Sequence, residues 1–265
     1  MTLALMVWGM ATAWVTLPSA AQSADSPLRF GTWMVQDARA FPGALLSRPS
    51  AWIGAGVVGM GLVATQDTGW GPSMQRWHHR EVWRVVEEFG DANAMRPASI
   101  MIFVGSLFQD DRRIQDAAFT GLEALILANL LTNALKAAAG RSRPWQSDDA
   151  HEWKPLSGKT SFPSGHATTA FALMTPWVMY IDHPMAWVGM GLAAFSSISR
   201  VTLRYHWPSD IVAGALIGSS VAVWLSRRHQ RGAAGTGVLS HRPVSPGPRL
   251  DPLIGPAHLG LRVTL

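Results

Sequence analysis

The sequence breaks into six long apolar runs, near residues 49–66, 97–109, 117–135, 167–181, 184–199 and 211–226. All are longer than the usual strand of about 5–6 residues, so they predict helices. The expected fold is all-α, a bundle of about six helices with its functional site at one end. A full membrane span needs about 20 apolar residues, and several runs are shorter, so a soluble bundle stays open. Two features favour a bilayer. Gly54, Gly56, Gly59 and Gly61 share one run, and Gly214 and Gly218 are spaced as GxxxG in another. Glycine costs about 1 kcal/mol in a water-exposed helix interior but lets helices pack closely in membranes. Trp52, Trp70, Trp145, Trp207 and Trp224 lie near run ends, where an interfacial belt belongs. The mean hydropathy of +0.12 pulls the other way.

Composition bounds the function classes. Only 15% of the 265 residues are charged, 48% are hydrophobic, and cysteine is absent. That excludes a disordered chain, a disulfide scaffold and a Cys-ligated metal site. The net charge of +5 shows no basic stripe and no nucleic-acid-binding motif, so no nucleic-acid partner is expected. A basic excess with few charges suits a membrane-associated protein that handles an anionic ligand.

Residues 1–24 carry no charged side chain and end in small residues, as a signal peptide or an N-terminal anchor would. The missing Lys or Arg at the start weakens the signal-peptide reading. Residues 25–48 read as a linker, 49–226 as the bundle domain, and 227–265 as a flexible Pro-rich tail. The alternation of Leu259, Leu261, Val263 and Leu265 offers a short strand. His78 and His79, between Arg76 and Arg80, read as a solvated or interfacial loop, since no further metal ligands stand nearby in the sequence.

Three polar clusters sit where apolar runs start or stop. They are Lys136 to Pro144, Phe162 to His166, and Ser199 to Asp210. If the runs alternate up and down, all three clusters fall on one face of the bundle. There Lys136, Arg143 and Arg200 supply cations, two of them able to form bidentate forks. Ser164 and Gly165 open a helix, whose free N–H groups favour an anion. His206 and Asp210 are four residues apart, so the carboxylate can fix the imidazole's tautomer. His166 is a second imidazole, able to donate a proton. The ensemble is a phosphate-sized pocket without a carboxylate cluster for a metal; no cofactor is expected.

Lys136 and six residues on to Arg143-Pro144, then Pro163-Ser164-Gly165-His166, then Ser199-Arg200, His206 and Asp210: this pattern resembles the type-2 phosphatidic acid phosphatase and vanadium haloperoxidase superfamily. The resemblance covers the stretch from Lys136 to Asp210 and, through the flanking helices, about residues 49–226. It implies that His206 is the nucleophile that forms a phosphohistidine, oriented by Asp210. It implies that His166 protonates the leaving oxygen, and that Lys136, Arg143, Ser164, Gly165 and Arg200 bind the phosphoryl oxygens. Arg141 and Arg204 lie outside the pattern and read as supporting charge or surface. The implied enzyme is a phosphatase acting on a lipid phosphate or diphosphate in the cell envelope, with its site on the non-cytoplasmic side. A soluble exported acid phosphatase is the alternative, and a haloperoxidase a more distant one. Residues 146–160 are expected to shape specificity; the substrate and the oligomeric state stay open. One conflict stands: counted back from Lys136 outside, the run at 49–66 must start inside, which disagrees with an N-terminus already exported.

Overall fold

A computed structural model describes residues 27–46, 61–76, 83, 88–235, 249–255 and 258–264. Its helices are α1 (Leu28–Leu46), α2 (Asp67–Gln75), α3 (Ala92–Ser106), α4 (Arg112–Ala139), α5 (Gly165–Tyr180), α6 (Pro184–Thr202) and α7 (Pro208–Gly235). A short 3-10 turn, Glu88–Gly90, precedes α3. The expected all-α bundle is therefore observed, and five of the six apolar runs map onto α3 to α7. Most of the run at 49–66 lies outside the described residues, as do residues 1–24 and the His78-His79 pair.

Helices α4, α5 and α7 form the centre. Their shared core is built from small and medium residues: Ala124, Ala128, Ala172, Val221, Ala222 and Leu225. Alanines at the contact let backbones approach. The GxxxG pair takes this further. A Cβ on Gly214 would stand 2.3 Å from the Ser164 carbonyl oxygen, and one on Gly218 would stand 2.4 Å from that of Thr168. Both glycines thus hold α7 directly against the start of α5, which is where the second polar cluster lies.

Helix ends follow local chemistry. Asp111 caps α4 by accepting from the Arg113 N–H at 2.9 Å. Gly140 ends α4 in the left-handed region, φ 59°, with its N–H on the Lys136 carbonyl. A Cβ there would fall 1.8 Å from the Lys154 carbonyl oxygen, so only glycine allows the loop 140–164 to fold back over the helix end. Ser164 caps α5, accepting from the Ala167 N–H.

Three expectations are corrected. Residues 28–46 are not a linker but helix α1, whose Phe30 and Phe41 are buried. Arg29, Asp37 and Pro42 interrupt the apolar pattern that would have revealed it, yet the two charges are internal. Arg29 pairs with Asp116 at 3.0 Å, and Asp37 pairs with Arg228 and His229. Those same contacts carry α7 past Ser226 to Gly235, into what reads as the tail. Further on, Arg249–Gly255 and His258–Thr264 pair as an antiparallel hairpin, so the strand suggested by the alternating residues is present. Trp207, placed in an interfacial belt from sequence, is 3% exposed because its indole N–H donates to the Ser142 carbonyl at 2.9 Å.

Candidate active site

The three polar clusters meet at one end of the bundle: the C-terminal ends of α4 and α6, and the N-terminal ends of α5 and α7. Lys136, in the last turn of α4, donates from Nζ to the Thr160 carbonyl at 2.6 Å. Arg143, in the following loop, donates to Thr160 Oγ1 at 3.2 Å. Two cations therefore converge on one residue of the loop. A Cβ on Gly165 would lie 3.7 Å from Lys136 Cε, which sets the ammonium beside the N-terminus of α5. The Ser164 N–H donates to the Asp210 carbonyl at 3.0 Å, joining the second cluster to the third.

Arg200 reaches the same end from α6. Its guanidinium stacks over the Tyr205 ring at 4.1 Å, and its carbonyl accepts from the Tyr205 and His206 N–H groups. That turn places His206, 3% exposed, next to the first turn of α7. His206 Nδ1 stands 3.5 Å from Asp210 Oδ2, too long for a hydrogen bond but within ion-pair distance of the carboxylate. Burial pushes the His206 imidazole down to about 4. Asp210 pulls against this, while the positive charges of Lys136 and Arg143 push further down. His206 is accordingly neutral near pH 7. With a proton on the nitrogen that faces Asp210, the lone pair is left on Nε2.

Of the eight residues singled out from the sequence, Lys136, Gly165, His166, Arg200 and Asp210 lie on the helix ends that meet here, Ser164 caps α5, and Arg143 and His206 lie in the adjoining loops. The sequence reading missed a second layer. Arg141, taken from sequence as supporting charge or surface, is 1% exposed. Its guanidinium donates to Asp210 Oδ1 at 2.6 Å, Asp67 Oδ2 at 2.7 Å, Ser209 Oγ at 2.8 Å and the Ala150 carbonyl. Asp67 in turn accepts from the Ser209 N–H at 2.9 Å, capping the start of α7 from a distant part of the chain. Ser161 Oγ and the Trp207 N–H complete the shell of Asp210, both on Oδ2, at 2.5 and 2.9 Å. Gly90 was missed too: a Cβ there would fall 2.3 Å from the His166 ring. Arg141 had a signal, its place two residues before Arg143; Asp67 and Gly90 had none.

The PAP2 superfamily model matches residues 117–233, which span all three clusters and the helices that carry them. Residues 117–233 are a PAP2-superfamily segment. Among curated relatives, the chain is 31% identical over 166 residues to a lipid A 1-phosphatase of Rhizobium etli, covering 52% of this chain and 66% of that one. A lipid A 1-phosphatase of Rhizobium johnstonii is 38% identical over 111 residues, 36% of this chain and 41% of the relative. The chain thus spans less than two thirds of either relative. An undecaprenyl-diphosphatase of Bacillus subtilis is 22% identical over 143 residues, 53% of this chain and 72% of that one. The fold matches the crystal structure of a transmembrane PAP2-type phosphatidylglycerolphosphate phosphatase from Bacillus subtilis, with TM-score 0.54 and 20% identity. That match covers 67% of this chain and 95% of the other. The PAP2 match thus falls on the segment that builds the site, and the neighbour shares the bundle fold.

Proposed function

We propose that this PAP2 protein is a phosphatase that removes a phosphoryl group from a lipid phosphate or diphosphate through a phosphohistidine at His206. The observation that carries the reading is the placement of the buried His206 beside Asp210 and three cations. His206 Nε2 attacks phosphorus, and the leaving oxygen departs with a proton from His166. Lys136, Arg143 and Arg200 neutralise the phosphoryl oxygens, aided by Ser164 and the Gly165 N–H at the start of α5. Water then attacks the phosphohistidine, giving up a proton to His166, and phosphate is released. Electrostatic stabilisation by fixed donors is the dominant contribution in such transfers. The carboxylates near the site, Asp67 and Asp210, are both engaged by Arg141, so the charge opposite the phosphate comes from side-chain cations.

The outer faces support a lipid setting. Ile100, Met101 and Ile102 on α3, Leu130 on α4, and Met185, Trp187 and Val188 on α6 are all exposed. Among the described residues, α4 and residues Pro208–Arg231 of α7 are long and apolar enough to cross a membrane. Such outward apolar patches favour a bilayer over the soluble acid-phosphatase alternative. The bundle end opposite the site gathers Arg112, Arg113, Arg227, Arg228 and Arg231, which suits a cytoplasmic face and puts the site on the other side. Helix α1 starts at that basic end, with Arg29 on Asp116 in the first turns of α4, and runs toward the site, with Phe41 against Trp224. Residue 28 then lies on the cytoplasmic side, which favours a retained N-terminal segment over a cleaved signal peptide.

Rapid-quench labelling with a radioactive lipid phosphate tests the mechanism. An acid-labile, base-stable adduct should form and disappear in His206→Ala. The same label in that variant would overturn the assignment. Retention in the membrane fraction after a carbonate wash is the outcome expected of an integral protein; full release would return the soluble reading.

A further inference from the structure

At the end of the bundle away from the phosphate site, three helices turn a buried ligand-type side chain toward one point. Asp37 comes from α1, Glu123 from α4 and His229 from α7, and their donor atoms lie within 4.8 Å of one another. His229 Nε2 is 2.7 Å from Asp37 Oδ2 and 3.6 Å from Glu123 Oε2. The Glu123 side chain is only 6% exposed, and Oε2 accepts no hydrogen bond among the described residues. Around the cluster, Thr120 Oγ1 is 2.9 Å from His229 Nδ1, Trp33 stacks on the imidazole at 4.1 Å, and Arg228 engages Asp37 Oδ1.

An unpaired buried carboxylate oxygen is costly, and here it faces a second carboxylate. A single Nε2–H is engaged by Asp37 and cannot also serve Glu123. One divalent cation between the three atoms would satisfy both carboxylates and the imidazole together. The surroundings fit such a cation. With Nδ1–H donated to Thr120 Oγ1, Nε2 presents its lone pair, the arrangement that orients metal-bound histidines. Arg228 holds the far oxygen of Asp37 in the same way. Mixed imidazole and carboxylate donors, three in number, match zinc-type ions better than the all-oxygen shells of Mg²⁺ or Ca²⁺. Zinc bonds of about 2.0–2.1 Å set tetrahedral donors about 3.3 Å apart, so the 2.7 Å pair of His229 and Asp37 must open and Glu123 must move in, both by small side-chain movements.

We propose that Asp37, Glu123 and His229 form a zinc-type divalent-cation site that fastens α1 to α4 and α7, with a fourth position left for water. The site is separate from the phosphate-handling end and stands or falls independently of the phosphatase reading.

The test uses the full chain, purified in detergent and stripped with chelator, then titrated with Zn²⁺ or Co²⁺ alone. Mass-spectrometric metal analysis should find about one zinc per chain after desalting. Co²⁺ should give visible absorption of a low-coordinate site, and Zn²⁺ should raise Tm in a concentration-dependent way. Glu123→Gln and His229→Gln should each lower metal affinity by at least about tenfold, the loss typical even of residues supporting a metal ligand. Should a variant fail to fold, the wild-type titrations decide alone. No retained zinc, no Co²⁺ absorption and no Tm shift in the wild type would mean that the cluster holds a proton instead, and would overturn the proposal. Unchanged metal affinity in folded variants would overturn the ligand assignment equally.

Discussion

Arg141 bonds Asp210 across 2.6 Å in full burial, so the carboxylate that faces His206 is itself fixed by a charge from another loop. The same guanidinium reaches Asp67 at 2.7 Å. Breaking a buried pair by removing one partner costs about 3–5 kcal/mol, because a bare charge is left behind. Arg141→Ala should therefore lower stability by about that amount. Arg141→Lys keeps the charge but cannot span Asp67, Asp210 and the Ala150 carbonyl together. Its kcat should drop with little change in KM, since Arg141 engages Asp210 and not the phosphate. Steady-state kinetics on the folded Lys variant checks this; a rise in KM at constant kcat would mean that Arg141 binds substrate directly.

Gly90 acts on the other imidazole. The 3-10 turn Glu88–Gly90 presses its last residue against His166, where a methyl group would fall 2.3 Å from Cδ2 and 2.7 Å from Nε2. Gly90→Ala must push the ring aside or move the turn. Misplacing a catalytic group by about 1 Å can cost about 10²-fold in rate. A loss of that order in kcat, with near wild-type Tm, is the expected outcome. Wild-type turnover in Gly90→Ala would show that the His166 ring position does not matter to the chemistry.

The depressed His206 sets the pH behaviour of both stability and rate. An unfolded histidine binds its proton near 6.5, whereas the folded one does so near 4. Between those values the unfolded chain binds more protons, so stability falls as the pH drops from about 6.5 to 4. The contribution is fully present above 6.5 and reaches a loss of up to about 3 kcal/mol at the acid end, at about 1.4 kcal/mol per unit. His206→Gln should flatten that part of a stability–pH curve. With His206 as the proposed nucleophile, neutral down to that range, the acid limb of kcat/KM should fall near pH 4 after correction for substrate ionisation. An acid limb at 6.5 that vanishes in no other histidine variant would contradict a buried neutral His206.

The candidate site was legible from sequence as a pattern because its eight residues sit in three short stretches, each tied to a helix end. Alternation of four apolar runs then indicates which ends meet, without knowledge of the packing. What supports the site was not legible. Asp67 meets Ser209 and Arg141 through tertiary contacts that leave no local pattern. Arg141 and Arg143 are the same residue type two positions apart, and only the fold buries one and turns the other to the site. Helix α1 was hidden for a related reason: its charges Arg29 and Asp37 look like solvated linker until their partners Asp116, Arg228 and His229 are in view. The Ala-rich core of α4, α5 and α7 was legible as apolar runs, but the two close approaches at Gly214 and Gly218 needed the register of α7 on α5.

Two imidazoles at one site invite a division of labour that substrate chemistry can expose. In-line displacement sets the nucleophile and the leaving oxygen on opposite sides of phosphorus. His206 is buried and paired with Asp210, while His166 is half-buried in the first turn of α5 and bounded by Gly90. The more open ring suits an acid that must meet leaving groups of different size. General acid catalysis contributes about 10²–10⁴-fold and matters most for a poor leaving oxygen. A lipid alkoxide is poor; p-nitrophenolate leaves readily without a proton. His166→Ala should thus slow phosphoenzyme formation from a lipid phosphate by about 10²-fold or more, but from p-nitrophenyl phosphate only slightly. His206→Ala should abolish both. Single-turnover measurement isolates this first step from the later attack of water, in which His166 is the proposed base. Equal losses for the two substrates in His166→Ala would remove the acid role and leave His166 as a phosphate ligand.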